Sequence, residues 1–151
     1  MESSTKTYQR DLKILFRDAD PAGIMYFAHL FSFAHDTFEA FIVEAGVPWN
    51  DWFRTNKHFV PIRHAEADYL SPFFPGETYQ VNTQVESLSE STFCMRYTFS
   101  QKDKTHAVVK MAHTFVDPKS KQKAKIPVEL RQRLEPYLIQ KSSALHEKAV
   151  K

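Results

Sequence analysis

Asp20 stands where an acidic side chain can do chemistry. It is the second acid of a DADPAG turn, and the residues that follow, Phe27, Leu30, Phe31, Ala34, Phe38, Phe41, Ile42 and Ala45, recur at helical spacing on one apolar face. Asp, Pro and Gly break regular structure for separate reasons, so the pattern predicts a carboxylate held just ahead of a helix N-terminus. Backbone N–H groups at such an end lack partners and carry partial positive charge. An acid there is commonly no more than local stabilisation. Beside an electrophilic carbonyl it can also attack directly or activate water, with the N–H groups receiving the negative charge that develops.

Other side chains invite the same question. His64, Glu66 and Asp68 share one parity of an extended stretch, so they point to one face of a sheet, a polar stripe unusual for a core strand. His35 and Glu39 lie four apart on the helix and share a face, as a hydrogen-bonded pair does. With His64 they show no recognised metal-ligand spacing, and neither a metal nor a cofactor is expected. Lys119, Lys121, Lys123 and Lys125 fall within seven residues, ordinarily a solvated loop but also the place to seek an anion site. The rings of Tyr26, Phe27, Phe31, Trp49, Trp52, Phe59 and Phe73 are core by default; some of them would make a flat apolar pocket suited to an aromatic group.

The elements that must position these residues follow from periodicity. Alternation over Thr7–Phe16 predicts a first strand, broken in parity by Arg10. The long helix should stop near Gly46, with Pro48 beyond it, and a short amphipathic turn covers Trp49–Asn56. Four more strands are predicted over His58–Ser71, Glu77–Ser87, Thr92–Gln101 and His106–Val116, joined by short polar connectors that favour antiparallel hairpins. Pro127–Ile139 reads as a closing helix that Pro136 should kink or fray. The fold class is therefore α+β: a five-stranded antiparallel sheet wrapped around one long helix, with a C-terminal helix. A single domain is expected over residues 1–139 and a disordered tail over 140–151. So small a sheet leaves edges and a helix flank open, which predicts dimerisation.

Composition sets the outer limits. A chain of 151 residues, 42% hydrophobic and 25% charged, fits one globular domain without help from metals or disulfides. A formal charge of +2 is too small for a nucleic-acid footprint, and no apolar run approaches the ~20 residues that span a bilayer, so neither nucleic acid nor membrane is expected as a partner. A lone cysteine, Cys94, excludes an internal disulfide, and the N-terminal residues lack an apolar leader; a cytoplasmic protein is the expectation.

The motif FRDADPAGIMYF, followed by a helix containing HDTFEAF, resembles the hotdog-fold thioesterases of the 4-hydroxybenzoyl-CoA thioesterase type over about Tyr8–Leu138. Within that group, PIRHAEADYLSPFFPGE and TFCMRYTFS are most similar to the thioesterases that act on 1,4-dihydroxy-2-naphthoyl-CoA in quinone biosynthesis. The resemblance implies subunits joined edge to edge into dimers with active sites at the interface, and a homotetramer built from two dimers. It places Asp20 at the catalytic carboxylate, the Phe27 backbone N–H at the donor that polarises the thioester carbonyl, and Gly23 at the glycine that lets the chain turn there. His64 matches a histidine of the naphthoyl-CoA branch. Tyr26, Phe31, Glu39, Phe59 and Thr92 join Gly23 as residues assigned to the acyl-CoA substrate.

One departure concerns the nucleotide. The benzoyl-CoA enzymes carry Arg and Lys in the hairpin corresponding to Leu88–Thr92, whereas this chain reads SLSEST over Ser87–Thr92. The phosphates of coenzyme A need another cation, and Lys119, Lys121 and Lys123 are the candidates. The expected activity is hydrolysis of an aromatic acyl-CoA; a short- or medium-chain acyl-CoA thioesterase and a non-catalytic acyl-CoA-binding module are the alternatives.

Overall fold

The computed structural model describes residues 4–54 and 58–140. The expected tail therefore lies, from residue 141 on, outside the described residues, as do residues 55–57 of the amphipathic turn. Five strands, β1 (Tyr8–Lys13), β2 (Ile62–Tyr69), β3 (Thr78–Leu88), β4 (Thr92–Gln101) and β5 (Lys104–Thr114), form one antiparallel sheet in the order β1-β3-β4-β5-β2. The helices are α1 (His29–Glu44), α2 (Trp49–Phe53) and α3 (Val128–Leu134). The sheet wrapped around one long helix is the hotdog architecture that the resemblance implies.

Alternation decides which side of the sheet meets α1. Tyr79, Val81, Thr83 and Val85 of β3, Phe93, Met95, Tyr97 and Phe99 of β4, and Ala107, Val109, Met111 and His113 of β5 are all buried on one face. Against them α1 presents Leu30, Ala34, Thr37, Phe38, Phe41 and Ile42, spaced three or four apart as a 3.6-residue repeat requires. Each large side chain buried in this way contributes roughly 1.5–3 kcal/mol. Tyr8, Arg10 and Leu12 of β1 pair with inward-facing β3 residues, so Arg10 also turns toward the helix and donates to the Asp36 carbonyl at 3.2 Å. The apparent break in parity is a charged tip reaching past the open edge to a helix carbonyl.

Several boundaries differ from the expectation. β1 ends at Lys13, with Phe16 already in a 3-10 turn, Phe16–Asp18, and β2 runs only over Ile62–Tyr69 of the expected His58–Ser71. The helix starts at His29 instead of directly after the DPAG turn, because the intervening residues make a small hairpin described below. The closing helix ends at Leu134, and Pro136 sits in a following 3-10 turn, Glu135–Tyr137. A helix interior has no place for a residue that lacks an N–H.

Candidate active site

The DADPAG segment folds as a tight hairpin. Asp20 accepts the Gly23 N–H on its backbone carbonyl at 2.9 Å, with Pro21 and Ala22 between them, which is a β-turn with Asp first, Pro second and Gly last. Gly23 has φ +81° with nothing within 4 Å of where a Cβ would stand, so the glycine serves the backbone angle and not a close approach. Below the turn the Asp20 N–H donates to Ile24, Ala19 bridges Met25, and the Tyr26 N–H donates to the Asp18 carbonyl at 2.8 Å. The Met25 N–H then donates to Phe73, docking the hairpin on the loop after β2. Asp20 is half-buried; its Oδ1 accepts the Ala22 N–H at 2.8 Å, which fixes the carboxylate at the hairpin tip.

Asp18, the first acid of the same DADPAG segment, is only 8% exposed, and its Oδ2 accepts the Leu15 N–H at 2.8 Å. Side chain and backbone together thus hold the base of the hairpin that carries Asp20.

The start of α1 is uncapped. Ala28 occupies the N-cap position with no side-chain acceptor, and no acid lies in the first turn, so Asp20 does not cap the helix as expected. The Phe27 and Ala28 N–H groups find no acceptor among the described residues. A cavity of about 400 Å³ adjoins this end, lined by Ile24, Met25, Phe27, Tyr69, Leu70, Ser71, Pro72 and Phe73. Its walls are apolar except for the hydroxyls of Ser71 and Tyr69. Tyr69 donates to the Phe27 carbonyl at 2.5 Å and sets its ring edge-on to Phe27 with centroids 6.4 Å apart. Burial raises the Tyr69 pKa above its ordinary value, so the phenol remains a donor through the neutral range. Tyr69 has the opposite parity to His64, Glu66 and Asp68, the stripe that drew attention in the sequence.

That stripe does share a face, but the wrong one for Asp20 within one chain. His64, Glu66 and Asp68 pair with Ala112, Lys110 and Val108, the β5 residues that alternate with the buried set, so they point away from α1. The register shifts between Ile62 and His64, and the extra residue there reverses which parity faces the helix. His64 is 64% exposed and lies 3.5 Å from Glu66. Glu39 does not pair with His35; it accepts the Trp49 indole N–H at 3.0 Å on the exposed flank of α1. Phe31 is half-buried against the core, and Tyr26 stacks edge-on with Phe27 at 5.1 Å, beside the cavity. No group of three or more His, Cys, Asp or Glu side chains among the described residues is arranged to hold a metal.

The remaining candidates gather at the other end of the sheet. Thr92 opens β4 and its hydroxyl pairs with that of Thr114 at 2.8 Å. Phe59 bridges Val116, and the Lys121 ammonium lies 5.6 Å from its ring centroid. Asp117 folds the lysine loop by accepting the Ser120 and Lys119 N–H groups, which hold its carboxyl below the usual range. The loop is moored to the β3–β4 hairpin by the Ile126 N–H on the Glu90 carbonyl and by Lys125 facing Glu90 at 3.5 Å. The lysines therefore lie beside the very hairpin whose own sequence lacks basic residues. A larger cavity of about 700 Å³, between Gly46–Trp52 and α3, opens at the C-terminal end of α1, remote from the acid and from the uncapped turn.

Comparison with known proteins decides the family. The model of the thioesterase-like superfamily matches residues 14–134, which spans the hairpin, the three helices and strands β2 to β5. The chain belongs to that superfamily. It is similar to the 1,4-dihydroxy-2-naphthoyl-CoA hydrolase of Microcystis aeruginosa, 31% identical over 118 residues, 78% of this chain and 86% of the relative. A protein of the same description from Crocosphaera subtropica is 31% identical over 129 residues, 83% of this chain and 93% of its own. Among solved structures, a 1,4-dihydroxy-2-naphthoyl-CoA thioesterase from Synechocystis superposes with a TM-score of 0.78 at 21% identity, over 85% of this chain and 96% of that one. This thioesterase-superfamily chain is accordingly a thioester hydrolase by class.

Proposed function

We propose that this chain hydrolyses the thioester of an aromatic acyl-CoA, of the 1,4-dihydroxy-2-naphthoyl or 4-hydroxybenzoyl type, to the free acid and coenzyme A. The observation that carries the reading is the Asp20 carboxylate, pinned at the tip of a hairpin whose base leads into an uncapped helix start and whose Ile24 and Met25 line an apolar cavity. The names of the naphthoyl-CoA relatives support the acyl class.

Two routes use the same parts. As a general base, Asp20 takes a proton from water as the water oxygen attacks the carbonyl carbon, and returns it to the departing thiolate. As a nucleophile, a carboxylate oxygen attacks instead, the C–S bond breaks, and water then hydrolyses the mixed anhydride. In both, negative charge develops on the carbonyl oxygen, and the N–H groups of the helix start that are unpartnered among the described residues, those of Phe27 and Ala28, are the proposed donors to it. His64 receives no proton-transfer role here, because its side chain is on the far face of its own sheet.

The acid end and the lysine end lie at opposite ends of β2, whose eight residues span roughly 23 Å. β2 is an open edge of the sheet. Antiparallel pairing of two copies across that edge sets the Ile62 end of one beside the Tyr69 end of the other. Phe59, Thr92 and Lys119, Lys121 and Lys123 of one subunit would then serve the acid of its neighbour, with the lysines on the coenzyme A phosphates. The proposal is thus a homodimer with shared sites, two of which form a homotetramer, acting in the cytoplasm.

A thiol-release assay over aryl- and alkyl-CoA thioesters tests it. Aryl-CoA substrates should be cleaved, and Asp20→Asn should lose turnover with the fold retained by circular dichroism. Wild-type turnover in that variant, or a clear preference for aliphatic acyl-CoAs, would overturn the mechanism or the substrate class respectively.

A further inference from the structure

We infer that Tyr69 is a positioning residue for the proposed reaction: its phenol holds and polarises the first peptide of α1, so that the N–H groups at the helix start meet the developing oxyanion in one fixed orientation. The inference rests on the reading of Asp20 and the helix start as the reacting site.

The geometry is specific. Phe27 O is the carbonyl of the Phe27–Ala28 peptide, and it accepts the Tyr69 hydroxyl at 2.5 Å in addition to the Leu30 N–H at 3.3 Å. In a trans peptide the N–H points opposite to the C=O. A donor on the Phe27 carbonyl therefore fixes the direction of the Ala28 N–H and, by drawing electron density to the oxygen, makes that N–H a stronger donor. The neighbouring Tyr26 carbonyl is held by the His29 N–H at 3.1 Å, so the peptide bearing the Phe27 N–H is anchored as well. No side chain caps this helix end, and Ala28 supplies none of its own. Tyr69 is the one side chain outside the first turn that hydrogen-bonds to it among the described residues.

A purely packing role does not explain the arrangement. Tyr69 is 45% exposed and Phe27 59% exposed, so neither ring is a buried support. Both line the same cavity, where a thioester would lie against the ring of Tyr69 while its hydroxyl is spent on the protein. Tyr69 is also the last residue of the open edge strand, with its backbone registered to Ala107. The hydrogen bond thus ties the helix start to the sheet itself.

Tyr69→Phe keeps the ring and deletes the tie. Two measurements are made on the full chain: the amide proton shift and exchange rate of Ala28 by NMR, and steady-state hydrolysis of 1,4-dihydroxy-2-naphthoyl-CoA with 4-hydroxybenzoyl-CoA as second probe. The variant should shift the Ala28 amide and speed its exchange. It should lower kcat about 10-fold, less than the 10²–10³ lost with a whole oxyanion donor, while KM changes less than about 3-fold. An unchanged Ala28 amide overturns the inference whatever the activity. A shifted amide with wild-type kcat, or a loss of kcat accompanied by an equal loss of substrate affinity and a collapsed melting transition, also overturns it. If the wild type releases thiol from no acyl-CoA, the proposed function fails, and a positioning role fails with it even where the amide shift shows the tie to be real.

Discussion

The two ends of this molecule treat polar side chains in opposite ways. At the acid end the hairpin is closed by the Asp20 N–H on Ile24 and the Tyr26 N–H on Asp18 and docked by the Met25 N–H on Phe73, a buried carboxylate braces its base, and a tyrosine ties the helix start to the sheet. At the lysine end the backbone is also paired, with the Asp117 N–H on Gln122, the Ala124 N–H on Phe115 and the Ile126 N–H on Glu90, but Lys119, Lys121 and Lys123 make no ion pair with a carboxylate among the described residues. The difference matches the chemistry proposed for each. Attack on a carbonyl carbon is intolerant of an ångström of error, so its groups are preorganised. Neutralising flexible phosphates needs charge within reach, and mobile ammonium groups suffice.

The comparison can be broken most directly at Asp20. Asp20→Asn removes the charge but keeps the acceptor for Ala22, so turnover should fall about 10²- to 10⁴-fold in thiol release with an unchanged melting temperature. Retained activity would mean that the ordered end is ordered for another reason. Next in size is Asp18→Ala, which leaves the Leu15 N–H unpaired and unbraces the hairpin. We expect a loss of about 1–3 kcal/mol in urea denaturation together with reduced turnover. Asp18→Asn, which keeps an acceptor oxygen, should recover most of both, and failure to do so would assign the charge itself a role.

At the opposite end the expected signature changes kind. Replacing Lys119, Lys121 and Lys123 with alanine should raise KM for an acyl-CoA about 3- to 10-fold with little change in kcat, and flatten the dependence of KM on salt, since exposed charges are screened within roughly 8–10 Å. An effect on kcat alone would erase the distinction between the ends.

The smallest effect concerns stability beneath the lysine end. His113 packs its ring against both Phe38 and Phe93, at 4.6 and 4.7 Å, with its Nε2 unpartnered among the described residues. Burial, and secondarily the charge of His35, lowers its pKa from 6.5 to about 3. The neutral ring's contribution is complete above pH 6.5. As pH falls from there toward about 3, the unfolded chain takes up a proton that the folded one refuses, and stability declines. Urea midpoints measured between pH 7 and pH 4 should show this slope, and His113→Phe should reduce it while sparing activity at pH 7.

Much of the fold was legible in the chain. Strict alternation marked β3 and β4 to within a residue or so, and the 3.6-residue apolar repeat marked α1. Both signals survive because each element buries one continuous face. Turn chemistry located Asp20 and Gly23 correctly, since Asp, Pro and Gly are each selected by a backbone angle or a local hydrogen bond. The polar stripe on β2 was read correctly as one face. Which face it was depended on an extra residue at Arg63, and a bulge leaves no mark in the alternation of a strand whose two sides are both exposed. Asp18 and Tyr69 escaped notice for a related reason: their partners, Leu15 N–H and Phe27 O, are backbone atoms, and backbone groups have no sequence signature.

By itself, then, the order of residue types determined the α+β class, the single long helix, the tight turn bearing Asp20 and the kinship to the thioesterase superfamily. Tertiary structure alone decided that the helix start is left uncapped, that Tyr69 reaches it across 42 residues of chain, and that the lysine loop lies beside a hairpin with no basic residues of its own. Local propensity and periodicity act between near neighbours and are written in composition and spacing. Which backbone atom a distant side chain meets is set by strand register and by the direction of the sheet's twist around the helix, and those exist only once the chain has closed on itself.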